Sequence, residues 1–122
     1  MREFKSTNGF TILVGQNSRE NSHLTLKLAE PSDIFFHVSD FPGSHVILKL
    51  GEELASREDL MDAACLAAYH SKAKDKKIIK VDYTEKSNVS KPRKAPAGLV
   101  ELSKFKTLKI QKSDNRINKY IK

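Results

Sequence analysis

The segment that decides the fold reads Asp33-Ile-Phe-Phe-His-Val-Ser-Asp-Phe-Pro-Gly-Ser-His-Val-Ile-Leu48. Runs of β-branched and aromatic residues at 34–38 and 44–50 flank a turn sequence, which predicts two strands joined by a tight turn. We expect a type II turn with positive φ at Gly43, because glycine adopts that conformation without steric cost. His37 and His45 lie near this turn, where a rigid scaffold commonly presents functional side chains.

Upstream of this segment the pattern predicts one strand and one helix. Residues 10–14 form a β-rich run between two glycines, which is typical of a short strand. Asn17 followed by Glu20 is a capping-box pattern, and apolar residues then recur at helical spacing. We therefore expect a helix over residues 18–29, ended by Pro31 because proline cannot donate to the helical hydrogen-bond ladder.

Downstream, the pattern predicts a buried helix and three further strands. Ser56 and Asp59 repeat the capping signal, and residues 60–69 are apolar almost all round, as in a helix buried against a sheet. Residues 78–83 alternate as a half-exposed strand does, and residues 99–102 and 107–110 are expected to form a closing pair of strands.

These elements predict a single α+β domain over residues 1–122, with a mostly antiparallel sheet packed against two helices. Its core spans about residues 9–110, and the polar tail 113–122 is expected to fray. The hydrophobic content of 39% and charged content of 30% are typical of a globular protein. No apolar run approaches the roughly 20 residues that a membrane-spanning helix needs. With Cys65 as its single cysteine, we expect a cytoplasmic protein without an internal disulfide.

The net charge of +7 is distributed unevenly along the chain. Residues 1–70 hold 6 Lys and Arg against 10 Asp and Glu, whereas residues 71–122 hold 16 against 5. An excess concentrated in one half favours a polyanionic partner held through its phosphates, and nucleic acid is the natural candidate. A solvated basic surface is the alternative.

Two segments carry most of this excess. The basic loop, residues 84–98, contains prolines that stiffen it and four cations: Lys86, Lys91, Arg93 and Lys94. The lysine segment, residues 72–77, follows the second helix and contains Lys72, Lys74, Lys76 and Lys77. We predict that both segments bind phosphate groups.

The histidines allow three interpretations. A zinc site is disfavoured because their spacing matches no compact ligand set. A hydrolase that pairs Ser44 with His45 or His37 and Asp33 is disfavoured, because the adjacent strand residues Ser44 and His45 point to opposite faces and no nucleophile elbow is present. We therefore expect no catalytic residue, metal or cofactor. In the third interpretation His37 and His45 face RNA, with Phe35 and His37 as an exposed stacking pair and Ser44 beside them. Buried structural histidines are equally compatible with the pattern.

Together these motifs resemble the RNA-binding module NFACT-R, the shared domain of ribosome quality control factors that bind the large ribosomal subunit. The resemblance covers about residues 9–110 and includes several short motifs in the right order. Its positions are Gly9, Gly15, Asn17, Asn21, the segments 33–38 and 42–46 with Gly43, then 83–84, 91–92 and 98–100 with Gly98.

The resemblance implies a non-enzymatic module that binds tRNA or ribosomal RNA, with the large ribosomal subunit as a partner and DNA as a further candidate. A protein-interaction adaptor on the ribosome and a histidine-dependent hydrolase or nuclease are the alternatives. Phe35 stands where the family often has tryptophan, and Ala97 stands where it usually has proline. The quality control factors carry further domains that do not fit in 122 residues. We therefore expect a free-standing member that binds RNA, and the resemblance does not imply recruitment of charged tRNA for tailing, which needs the other domains.

Overall fold

The predicted strands of residues 33–48 lie at the centre of the sheet. β3 (Ile34–Val38) pairs antiparallel with β4 (Val46–Leu48), with Phe35 opposite Ile47. These bounds come from a computed structural model, which describes residues 1–121. Both strands are rich in buried apolar side chains on each face, because layers of structure cover the sheet on both sides here.

Four further strands complete an antiparallel sheet of six strands. They are β1 (Arg2–Lys5), β2 (Thr11–Val14), β5 (Ile78–Glu85) and β8 (Lys106–Gln111). The strand order is β1-β2-β4-β3-β5-β8, which leaves β1 and β8 at the edges. Two short strands, β6 (Val89–Ser90) and β7 (Glu101–Leu102), pair with each other in a separate sheet.

One face of the main sheet is covered by α2 (Arg57–Tyr69). Ser56 and Asp59 form the predicted capping box, with hydrogen bonds in both directions. Residues 63–68 of the helix are all buried, and four of the six are alanines, which let the helix lie close to the strands. The confirmed architecture is a single α+β domain with a mostly antiparallel sheet and two helices.

The opposite face, called the outer face below, is covered only in part. α1 (Ser18–His23) continues as a π-helical turn, Leu24–Leu28, so that the predicted helix 18–29 is present but changes its hydrogen-bond pattern. Leu24 packs against Phe35, Ile47 and Val89 in a second, smaller core. Asn17 caps α1 by accepting from the Glu20 amide at 2.9 Å, whereas the Glu20 carboxylate accepts from the Gln16 amide. No helix in residues 1–121 is long and apolar enough to cross a membrane.

The type II turn expected at Gly43 is wrong. The positive φ in this connection belongs to Asp40, at 63°, and the φ of Gly43 lies outside that region. Gly43 instead forms an isolated antiparallel bridge with Ser71, just after α2. A Cβ on Gly43 would lie 2.9 Å from the Cβ of Ser71. Glycine is therefore required by the close approach of a distant segment.

Two expectations for the C-terminal third also need correction. The strands at 99–102 and 107–110 do not pair with each other, because β7 pairs with β6 and β8 pairs with β5. The polar tail packs against α2 through a 3₁₀ turn, Asn115–Lys119. Within it, Arg116 and Lys119 form ion pairs of 3.1 and 2.9 Å with the fully buried carboxylate of Asp62.

We predict that Gly43→Ala destabilises the domain by about 1–3 kcal/mol, because the new methyl group overpacks the contact with Ser71. Urea unfolding of the single variant measures this loss. Combining it with Ser71→Gly should return part of the lost stability, since that change removes the Cβ that the methyl group would meet. Strictly additive effects of the two substitutions would contradict the steric explanation.

Candidate nucleic-acid interface

His45 is buried directly before β4, with 2% of its surface exposed. Its Nδ1 lies 2.8 Å from Thr25 Oγ1 and its Nε2 lies 3.0 Å from the carbonyl oxygen of Gly98. Because a carbonyl can only accept, Nε2 carries the proton and the Thr25 hydroxyl donates to Nδ1. Burial lowers the pKa of His45 to about 4, so the ring is neutral at pH 7. The expected RNA-facing position of His45 is therefore corrected to a structural one.

The backbone of His45 is held by two of the motif residues. The Asn21 side-chain oxygen accepts from the His45 amide at 3.1 Å, and the His45 carbonyl accepts from the Gly15 amide at 3.0 Å. A Cβ on Gly15 would lie 2.1 Å from that Asn21 oxygen, which explains the glycine. Gly98, with a φ of 86°, donates its amide to Ser22 Oγ at 2.7 Å. Gly15, Asn21 and Gly98 thus surround His45.

Residues 42–45 connect the two basic segments. The Pro42 carbonyl accepts from the Lys72 amide at 2.9 Å, and the Ser44 amide donates to the His70 carbonyl at 3.0 Å. One residue later, His45 donates to Gly98 at the end of the basic loop. The start of the lysine segment and the end of the basic loop therefore lie at the same end of the sheet.

Phe35 and His37 differ in exposure although both lie on the outer face. Their rings are nearly parallel, with an interplanar angle of 11° and centroids 6.5 Å apart. Phe35 is only 1% exposed, so it has no free surface for a base, and the expected exposed stacking pair is wrong for this ring. His37 and Ser44 are half-buried, and burial lowers the pKa of His37. His37 alone of this pair keeps a surface that a ligand can reach.

The predicted phosphate-binding cations lie on the surface. Lys86 is half-buried, and the other six are exposed: Lys72, Lys74, Lys76, Lys91, Arg93 and Lys94. None of them forms an ion pair with a carboxylate of residues 1–121. Lys76 Nζ lies 5.0 Å from the centroid of the Phe41 ring, a cation–π contact. Their role in binding stays a prediction.

The structure adds two lysines that the sequence analysis missed. Lys80 on β5 lies directly opposite Lys109 on β8, and both are exposed on the outer face. Neither has an ion-pair partner among the described residues. Like charges directly opposite each other destabilise a sheet. The alternation at residues 78–83 placed Lys80 on the exposed side, but the pairing with Lys109 depends on a register that the pattern does not reveal.

The hydrolase interpretation finds no supporting geometry. Asp33 is fully buried and accepts from the Leu50 and Glu30 amides, and it pairs with Lys49 at 2.6 Å. Both ring nitrogens of His45 are already hydrogen-bonded, so the ring is not available as a general base for Ser44. Within residues 1–121, no cluster of three or more His, Cys, Asp or Glu side chains is placed to hold a metal ion.

We predict that His45 makes folding stability depend on pH. Its folded pKa lies below its unfolded value, so its contribution is complete above about pH 6.5 and is lost as the pH falls towards 4. The full loss amounts to about 3 kcal/mol. Urea unfolding between pH 7.5 and 4.5 should show this drop in the parent protein and a smaller one in His45→Asn.

The matched control is His23→Asn, which makes the same substitution at an exposed histidine that takes no part in the hydrogen bonds of His45, so the drop should persist in it. If His45→Asn does not fold, an NMR titration of the His45 ring in the unmodified protein replaces it. A ring that becomes protonated near pH 6.5 in the folded state would contradict the prediction.

Comparison with known proteins shows similarity along most of the chain. Residues 1–103 match the family described as the NFACT protein RNA binding domain. Rqc2 homolog RqcH of Bacillus subtilis (strain 168) is 45% identical over 100 residues, covering 82% of this chain and 17% of that protein. Coiled-coil domain-containing protein 25 of Bos taurus is 31% identical over 121 residues, covering 95% of this chain and 58% of that protein.

A solved structure is similar over nearly the whole chain. It is the C-terminal part of the fibronectin/fibrinogen-binding protein from Streptococcus suis, with a TM-score of 0.88 and 36% identity, covering 96% of this chain and 47% of that one. The chain spans only 17% and 21% of the lengths of the RqcH proteins of Bacillus subtilis and Streptococcus suis. The matched residues, 1–103, include β3 and β4, both helices and the basic loop. The chain therefore belongs to the NFACT RNA-binding domain family.

Proposed function

We propose that this domain binds tRNA or ribosomal RNA as a non-enzymatic module, in the context of ribosome quality control. The binding surface consists of the outer face of β5 and β8 together with the two basic segments. The observation that carries the proposal is the cross-strand pair Lys80 and Lys109, two exposed like charges without a carboxylate partner in residues 1–121.

Binding of a polyanion explains why Lys80 and Lys109 lie opposite each other, whereas a contribution to folding stability does not. Opposed like charges cost free energy in the unbound domain. A phosphate placed between them reverses the sign of the interaction and releases counterions. RNA binding therefore gives a reason for two lysines at positions where a single acidic residue would have stabilised the sheet.

The two basic segments extend this surface along the length of β5. Lys77 precedes the strand and Lys86 follows it, so these two lysines lie about 25 Å apart. A nucleic-acid backbone spans such a distance with several phosphates. Lys80 lies between the ends, which makes an extended nucleic-acid backbone a suitable partner.

The family supports the same conclusion. Its description is an RNA-binding domain, and the relative with 45% identity is named as an Rqc2 homolog. We infer the ribosome quality control setting from these relatives. The choice between tRNA and ribosomal RNA is left to the binding experiments, and a protein adaptor on the ribosome is the competing outcome.

We predict that binding to RNA weakens steeply with salt. If four to six phosphates are neutralised, log K should fall with log salt with a slope of about −3 to −5. Fluorescence anisotropy with a labelled tRNA and a labelled ribosomal RNA fragment, at several salt concentrations, measures this slope. If neither RNA binds detectably, or if the slope is near zero, the adaptor is favoured.

We predict that the double substitution Lys80→Ala, Lys109→Ala reduces RNA affinity at least tenfold and makes the salt slope about two less negative. It should not lower stability, because it removes a repulsion. The matched control is Arg2→Ala with Arg57→Ala, which also removes two exposed cations. Arg2 lies on the opposite edge strand and Arg57 on the helix covering the other face.

The basic loop is tested in the same assay with Lys91→Ala, Arg93→Ala and Lys94→Ala combined. All three side chains are exposed, so the change should cost within about 0.5 kcal/mol of stability per site and still weaken binding. Full RNA affinity in both variants, or equal losses in the control, would contradict the proposed surface.

A further inference from the structure

An open cavity of about 470 Å³ lies on the outer face beside the proposed phosphate-binding surface. Side chains from three parts of the chain line it, among them His37, Phe41, Asp82, Leu99 and Phe105. The volume falls within the range of small-ligand sites. We propose that this cavity binds one unpaired RNA base that carries an exocyclic amine, an inference that rests on the proposed RNA-binding function.

The walls of the cavity suit a flat aromatic ligand. Leu99 and Phe105 are 52% and 53% exposed, although large apolar side chains are normally buried. His37 is half-buried and is backed by the parallel ring of Phe35. Proteins that bind single-stranded RNA commonly stack bases on such rings. Stacking therefore explains why these side chains gather at one place on the surface.

Asp82 supplies a fixed hydrogen-bond acceptor in the cavity. Its Oδ1 accepts from Ser39 Oγ at 2.7 Å and from Thr107 Oγ1 at 2.8 Å, which fixes the orientation of the carboxylate. Oδ2 has no partner among residues 1–121. In the strand pairing, Asp82 lies directly opposite His37. The carboxylate of Asp82, with its second oxygen unbonded among residues 1–121, thus neighbours the His37 ring, on which a base can stack.

The chemistry of this oxygen selects among the bases. Guanine, adenine and cytosine each offer an amine hydrogen on the Watson–Crick edge, and guanine adds a neighbouring N–H. Uracil offers one N–H between two carbonyl oxygens, which a carboxylate repels. We infer that the cavity favours guanine most and uracil least. A paired base cannot present this edge, so the ligand is an unpaired nucleotide.

The position of the lysine pair completes a nucleotide site. Lys80 and Lys109 are each two residues along their strands from Asp82 and Thr107, on the same face of the sheet. Two residues of a strand span about 7 Å. A base stacked near His37 would therefore have its phosphate within reach of these lysines.

The test uses two RNA hairpins that differ only in one unpaired nucleotide, guanosine or uridine, together with a fully paired duplex of the same stem. We expect the guanosine hairpin to bind the domain about tenfold more tightly than the uridine hairpin. Asp82→Asn should remove this difference, because the amide can present a donor where the carboxylate accepts. Lys80→Ala should weaken both hairpins by the same factor.

If Asp82→Asn does not fold, Phe105→Ala tests the same cavity. This variant should fold, because Phe105 is exposed and lies outside the main sheet. It should lower the affinity for the guanosine hairpin about tenfold and leave the duplex unchanged. Equal affinity for both hairpins, or a Phe105→Ala loss shared by the duplex, would overturn the base site while salt-dependent RNA binding stands. Absence of binding to every RNA would overturn the proposed function itself and the base site with it.

Discussion

A neutral imidazole at residue 45 accepts a hydrogen bond from the Thr25 hydroxyl and donates one to the Gly98 carbonyl. These two bonds join β4 to the π-helical turn and to the end of the basic loop, three segments that are far apart in the chain. The bond to Gly98 requires a proton on Nε2, whereas the Thr25 hydroxyl can either donate to Nδ1 or accept from it. Burial keeps the ring neutral, so the hydroxyl is the donor. The elements that cover the outer face are thus anchored to the sheet through the ring of His45.

The two faces of the sheet are stabilised in different ways. α2 brings a continuous apolar side and a capping box to one face, which is typical of a structural core. The other face has only a short helix, a π-helical turn and a two-residue strand pair to cover it. These elements reach β3 and β4 but leave Lys80 on β5 and Lys109 on β8 exposed, and neither lysine has an ion-pair partner among residues 1–121. The boundary between the core and the proposed interface therefore follows from how far these elements extend over the outer face of the sheet.

The sequence predicted what short-range rules determine. The antiparallel pairing of the strands on either side of residue 43, the Ser56–Asp59 capping box and the alternation at residues 78–83 were all confirmed, although the turn itself was not. The sequence-based predictions failed where a segment distant in the chain determines the environment of a residue. The local sequence indicates a turn at Gly43, but the close approach of Ser71 is what requires the glycine. The local sequence also places His45 near a turn, but its ring is covered by Gly98. Lys109 becomes a candidate binding residue only because it lies opposite Lys80, and this strand register joins residues that are far apart in sequence.

The position of β8 at the edge of the sheet has a consequence for self-association. An edge strand offers unpaired backbone groups to any other strand, and lysines on such a strand hinder that pairing by charge repulsion. β8 carries Lys106 and Lys109, and Lys112 follows it directly. A bound polyanion would neutralise this repulsion at the moment it occupies the surface. The lysines of β8 therefore act against edge-to-edge pairing of free copies, and a bound polyanion would weaken that effect.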